Sequence, residues 1–234
     1  MDSQTASQQN ERIYSATDYH EKAHAVTPRA FALILRYRGE KFARFIDPND
    51  SVLEFGVGPG WNIMNLPARR RVGFDVTEAY AAQLRAAGVE FFSDLSALAP
   101  HSFDVVIFSH VMEHLLSPPE TLAKIADLIK PSGRLVLIVP LEQRLRKHSS
   151  KDHNHHLYSW NVQTLTNLLQ ACGYHVESCT AKATGYDRFG AELAARFRAG
   201  ARLYKFLLTV LRLLRPVEEI QAVAVHQPSA DNQQ

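Results

Sequence analysis

From Ser51 to Val139 the chain repeats one pattern: a short, nearly unbroken run of Val, Ile, Leu and Phe, then a turn or a helical stretch. Ser51–Phe55, Arg71–Asp75, Val89–Phe92, Phe103–Ser109 (FDVVIFS) and Arg134–Val139 (RLVLIV) read as strands. Continuous rather than alternating apolar character is what burial on both faces demands, and that is the signature of a parallel sheet. Successive parallel strands need crossover connections. The stretches Thr77–Ala87, closed by Gly88, and Pro118–Lys130, ended by Pro131-Ser132-Gly133, supply them as helices. A doubly wound α/β sheet is the architecture that follows.

The rest of the chain extends this reading. Phe31, Ile34, Leu35, Phe42 and Phe45 recur at helical spacing, which predicts a helix over about Arg29–Phe45 ahead of the first strand. A short helix is expected to begin near Trp61, and another to span Trp160–Cys172. Tyr174–Thr180 and Ile220–His226 read as a sixth and a seventh strand. Between them, about 183–217, lies an insertion carrying a helix with Leu203, Phe206, Leu207, Val210, Leu211 and Leu214 on one stripe. Residues 1–12 and the tail 227–234 are polar and expected to fray. No linker divides the remainder, so 13–226 is expected to form a single domain with the helical insertion inside it.

Charge and cysteine content narrow the function classes. A net charge of +2 over 234 residues lacks the basic excess of a nucleic-acid binder. Cys172 and Cys179 stand in no paired ligand spacing, which points to a reducing, cytoplasmic compartment with neither a disulfide framework nor a cysteine zinc site. The apolar stretch Leu203–Leu214 contains Lys205 and Arg212 and is too short to span a bilayer, which takes roughly 20 residues.

The chemistry begins where the first strand ends. Val52-Leu53-Glu54-Phe55 runs into Gly56-Val57-Gly58-Pro59-Gly60, three glycines at alternate positions. Glycines there let the backbone turn tightly and approach a ligand with no side chain intervening. The spacing is G-x-G-x-G and position 61 is Trp, so it departs from the G-x-G-x-x-G that presents a helix N-terminus to a pyrophosphate. Asp75 closes the second strand, where a carboxylate can accept both ribose hydroxyls of an adenosine cofactor.

Taken in order, LEFGVGPG, GFD at 73–75, FSDL at 92–95, SFDVVIFSHVMEHL at 102–115 and LKPSGRLVLIVP at 129–140 resemble the successive motifs of class I S-adenosylmethionine-dependent methyltransferases. The resemblance covers roughly residues 50 to 180 and is nearest the small-molecule branch with quinone-biosynthesis and glycan-cluster enzymes; HHLYSWNVQTLTNLLQACGYHVE at 155–177 fits the same branch. It implies a Rossmann-like sheet of about seven strands in the order 3-2-1-4-5-7-6, the last strand antiparallel, with S-adenosyl-L-methionine as cofactor and S-adenosyl-L-homocysteine as product. By position, Gly56, Gly58 and Gly60 would pass under the methionine part of the cofactor, with Glu54 organising the loop. Asp75 would hold the ribose and Val76 lie beside the adenine, which Asp94 and Leu95 would edge. Ser109 and His110 would lie under the methyl group.

Two histidine patterns invite other readings. His110-Val111-Met112-Glu113-His114 matches the inverted zinc-protease motif, but that site needs both histidines on one face of a continuous helix, and His110 directly follows a buried strand. The stretch His148–His156, with His153, His155 and His156, matches no familiar ligand spacing and reads as a polar loop that can wall a substrate. No metal is expected. A hydroxyl acceptor would need a base, for which His110 and His155 are the candidates. Tyr14, Tyr19, His20 and His24 can cap the core or, as the resemblance implies, fold as a lid over the cofactor. The basic amphipathic helix around 196–215 can lie on the domain, cover an acceptor, or make a peripheral membrane contact. The acceptor is expected to be a small molecule, lipid or glycan, with no nucleic-acid partner. The competing functions are a nicotinamide-dependent oxidoreductase and a non-catalytic relative that keeps only the fold.

Overall fold

A computed structural model of the chain describes residues 26–142, 154–197, 201–214 and 217–227. In chain order it contains α1 (Pro28–Ala43), β1 (Ser51–Phe55), β2 (Arg70–Phe74), α2 (Ala81–Ala86), β3 (Glu90–Phe92), β4 (Phe103–Ser109), α3 (Pro118–Leu128), β5 (Ile129–Pro140), α4 (Val162–Ala171), β6 (Tyr174–Thr184), α5 (Asp187–Arg196), α6 (Ala201–Leu214) and β7 (Val217–His226). The strands form one seven-stranded sheet in the order β3-β2-β1-β4-β5-β7-β6. The pairs β1–β2, β2–β3 and β4–β5 are parallel, and β7 runs antiparallel to β5. This is the topology the motif resemblance implied. The expected fraying of 1–12 and of the tail beyond Gln227, and the lid residues Tyr14, Tyr19, His20 and His24, lie outside the described residues, as do His148 and His153.

Three local expectations are corrected. No helix begins at Trp61; residues 61–65 run as turns. Strand β5 starts at Ile129 rather than Arg134, because the Pro131-Ser132-Gly133 segment bulges within it: Phe103 pairs with Ile129 but Val105 with Arg134. Gly133 is required at that bulge, where a Cβ would lie 2.9 Å from the carbonyl oxygens of Phe103 and Asp104. The insertion holds two helices, α5 and α6, rather than one.

The chain divides into two compact units, Met1–Leu98 with Thr184–Val217, and Ala99–Ala183 with Glu218–Gln234. In the first, α1 begins behind the N-cap Thr27 with Pro28 at its start, and packs on α5 and α6 around Ala30, Ile34, Trp61, Ala191, Ala194, Tyr204 and Leu208. Each large side chain so buried contributes about 1.5–3 kcal/mol. Gly190 permits the close approach of α6, since a Cβ there would sit 3.0 Å from Leu208. The insertion is fastened by charge as well. Asp187, buried at the start of α5, takes Arg212 at 3.0 Å, Arg38 at 3.4 Å and Lys41 at 3.9 Å. Glu192 accepts from the Thr27 backbone N–H at 2.6 Å and from its hydroxyl at 3.0 Å. The stripe expected on α6 is not the face that the helix buries. Tyr204 and Leu208, neither of them in that stripe, are buried, whereas Phe206 and Leu214 of the stripe are 62% and 77% exposed, as is Leu213 at 78%.

In the second unit β4 is largely buried, and α3 buries Leu122 and Ile125. The Tyr174 hydroxyl donates to the Leu122 carbonyl at 2.8 Å, pinning the start of β6 to that helix. A capping box between Asn161 and Thr164 opens α4.

Candidate active site

In the first unit the carboxyl ends of β1, β2 and β3 form one continuous rim. The N–H groups of Gly56 and Val57 both donate to the Phe74 carbonyl, and the Asp75 N–H to that of Phe92, so the three strand ends are tied in sequence. The glycines turn the chain in the left-handed region, at φ 72° for Gly56, 46° for Gly58 and 79° for Gly60. They are not equivalent. A Cβ on Gly58 would meet nothing within 4 Å, so its backbone borders open space that a ligand can enter. A Cβ on Gly60 would come within 2.5 Å of Leu84, so that glycine is required by packing onto α2.

Asp75 is buried and shapes the loop directly. Its Oδ2 accepts from the Gly58 N–H at 2.8 Å and its Oδ1 from the Thr77 N–H at 3.1 Å. Beside it Val76 is 45% exposed, unusual for an apolar side chain at the end of a buried strand. Asp94 is exposed and caps the 3₁₀ turn Leu95–Ala97; the Ser96 side chain and backbone bonded to it hold its carboxyl below the usual range. Leu95, half-buried, opens that turn.

Glu54 lies beneath the loop, fully buried in β1. Its Oε1 accepts from the Asn62 amide at 2.5 Å, while Oε2 has no hydrogen-bond partner. Burial pushes this carboxyl up to about 8, against the opposing pull of Asn62. Asn62 was not singled out in the sequence. It is the residue through which Glu54 reaches the turns after the glycine loop.

These features fit an adenosyl ligand: a bare backbone at Gly58, a fixed carboxylate at Asp75, an exposed apolar side chain at Val76 and an acceptor at Asp94. They do not fit a pyrophosphate, because turns rather than a helix N-terminus follow the glycines.

In the second unit Ser109 and His110 end β4, both half-buried. His110 adopts a left-handed backbone, φ 57°, rare for a non-glycine residue. Its N–H donates to the Ile138 carbonyl, and its ring stands between two carboxylates, Nε2 at 3.1 Å from Glu219 and Nδ1 at 3.5 Å from Glu113. Burial alone would lower its pKa, but the two carboxylates outweigh that and hold it at about 9. The two carboxylates thus favour the protonated ring. His155 is exposed, with φ 52°. Glu219 was not singled out in the sequence; Glu113 stood out there only within the His110–His114 pattern, and His156 only within the loop that can wall a substrate. The segment His110–His114 does not form the continuous helix of a zinc protease, since only Met112–His114 is helical, as a 3₁₀ turn.

Among solved structures, the fold is similar to several methyltransferases. A Thermotoga maritima S-adenosylmethionine-dependent methyltransferase aligns at TM-score 0.61 and 14% identity over 93% of this chain and 100% of that one. Phosphoethanolamine N-methyltransferase 2 of Haemonchus contortus, seen with S-adenosyl-L-methionine, aligns at TM-score 0.55 and 15% identity over 81% of this chain. This chain spans only 52% of that enzyme's length. The [4+2]-cyclase SpnF aligns at TM-score 0.56 and 17% identity over 82% of this chain and 80% of that one, so the fold also serves other chemistry. No curated protein sequence matches. A family model described as a methyltransferase domain matches residues 19–179, well over half of the chain and inclusive of the glycine loop, Asp75 and the β4 turn. The chain belongs to the family of class I S-adenosylmethionine-dependent methyltransferase domains.

Proposed function

We propose that the protein transfers a methyl group to a small-molecule, lipid or glycan acceptor, with the cofactor held on the rim formed by β1, β2 and β3. The observation that carries this reading is the open Gly58 backbone fastened to Asp75. When bound, S-adenosyl-L-methionine supplies a methyl group on a sulfonium, already a good leaving group. Asp75 orients the ribose hydroxyls, Val76 covers one adenine face, and Asp94 with Leu95 edges the base. Gly56 and Gly58 leave room for the methionine portion, and Gly60 with Glu54 keeps the loop in shape from below. Ser109 belongs to the same set by its motif position. Holding the reactants in line is worth on the order of 7–11 kcal/mol, so positioning is the main work of such a protein. Should the acceptor be a hydroxyl, His110 and His155 are the candidates to take its proton, and the carboxylates beside His110 favour its protonated form.

The test is thermal unfolding with S-adenosylhomocysteine and, separately, NADH. At about 100 times its dissociation constant the adenosyl ligand should add roughly 2.7 kcal/mol of stability, and NADH none. Stabilisation by NADH alone would point to an oxidoreductase, and by neither ligand to a fold kept without the activity.

We also infer that α6 meets an anionic membrane surface. Phe206, Leu213 and Leu214 are exposed on a helix that carries no acid. It bears Arg202 and the exposed Lys205, which also reaches Glu40 at 3.5 Å, while Arg212 is held by Asp187. The protein should float with vesicles containing anionic phospholipid, and Phe206→Ser with Leu213→Ser should abolish this. Wild-type protein left behind in the gradient would refute the contact.

A further inference from the structure

Among the described residues, Glu113, His114 and His156 form a cluster that the cofactor rim does not use. Their meeting is built by the backbone. The 3₁₀ turn Met112–His114 follows β4 directly and sends Glu113 inward. The N–H groups of Leu157 and Tyr158 donate to the Glu113 carbonyl at 2.8 and 3.2 Å, which holds the preceding residue, His156, beside the turn. The rings of His114 and His156 meet edge to face, 4.9 Å between centroids.

We propose that Glu113, His114 and His156 bind a divalent transition-metal ion, with Zn²⁺ the ion best matched to two imidazoles and a carboxylate. Their ligand atoms lie within 4.8 Å of one another. Glu113 is fully buried, and neither carboxylate oxygen has a hydrogen-bond partner. A carboxylate taken out of water in this way is costly unless a cation compensates it. His110 Nδ1, 3.5 Å from Oε1, does so on one side only.

His156 is already prepared as a ligand: its Nδ1 donates to Glu142 Oε1 at 3.0 Å. Engaging one ring nitrogen in this way fixes the tautomer and aims the other, the arrangement found behind most metal-bound histidines. Ligand atoms around tetrahedral zinc stand about 3.4 Å apart, so the three need to close by roughly an ångström on binding. Three protein ligands leave a coordination position for water or another ligand.

Metal uptake and cofactor binding are read separately. Untagged full-length protein, stripped with chelator, is titrated with Zn²⁺ alone by calorimetry, and bound metal is counted after dialysis. One zinc per chain is expected. His156→Ala and Glu113→Gln should each weaken uptake at least 100-fold, and Glu142→Ala, which removes only the support of His156, about 10–100-fold. Retained S-adenosylhomocysteine binding by these variants would show that they are folded. Absence of zinc uptake by the wild type, uptake of Mg²⁺ in place of Zn²⁺, or unchanged uptake by both ligand variants would overturn the proposal.

Discussion

Asp75→Ala is expected to weaken S-adenosylhomocysteine binding more than 100-fold and to destabilise the protein by about 2–4 kcal/mol. The two effects have separate origins. Stability falls because the Gly58 and Thr77 N–H groups lose their acceptor in a buried setting, and each buried donor left unsatisfied costs about 1–3 kcal/mol. Binding falls because the ribose loses its carboxylate and because the loop that must pass under the ligand is no longer fastened. Asp75→Asn separates these roles. It keeps one oxygen acceptor, so it should recover part of the stability while binding remains weak. Calorimetric titration and urea unfolding on the same preparations read the two quantities. Unchanged ligand affinity in Asp75→Ala would leave Asp75 as a loop fastener and remove its place in the cofactor site.

Glu54 should make the protein lose stability as the pH rises from mildly acidic to alkaline. The carboxyl ordinarily titrates at 4.5, and burial pushes it up to about 8 in the folded protein. Between those values the folded state holds a proton that the unfolded chain has released. Stability is therefore fullest below about 4.5, declines through the window and levels off above about 8. The drop is on the order of a few kcal/mol, since each unit of displacement corresponds to roughly 1.4 kcal/mol. Glu54→Gln keeps an oxygen for the Asn62 amide and has no proton to lose. It should match the wild type near pH 5 and exceed it near pH 8. A stability difference that does not change with pH would mean that Glu54 is ionised in the folded protein.

The strands were legible because burial on both faces writes itself as uninterrupted apolar runs, as in Val105-Val106-Ile107-Phe108. The two helices of the insertion were harder to separate. Asp187–Arg196 buries Gly190, Ala191 and Ala194, small residues that carry little hydrophobic signal yet allow α6 to approach. The false helix at Trp61 has a related cause. Trp61, Ile63 and Met64 are buried, and their spacing suits a helix, but burial is achieved there by successive turns. The start of β5 was placed late because Pro131-Ser132-Gly133 reads as a terminator, while in the sheet it is a bulge.

The candidate site divides in the same way. Its chain-local part, the three glycines and Asp75, was visible because tight turns and close backbone approach admit few residue types. Which glycine opens toward a ligand and which serves packing was not visible, since Leu84, the neighbour of Gly60, lies 24 positions further along the chain. The intrinsic titration range of histidine makes His110 a candidate base. Its contact with Glu219, 109 positions away, is recorded in no local pattern. The cluster of Glu113, His114 and His156 likewise depends on the 155–158 segment returning to the β4 turn. The sequence by itself determined the strand succession, the loop chemistry and the family, because each depends on residues near one another in the chain. The tertiary structure alone decided the burial of Glu54, the placing of His110 between two carboxylates, the division of labour among the glycines and the meeting of the three candidate ligands. Burial and through-space charge follow from contacts between distant segments, and those are set only when the chain has folded.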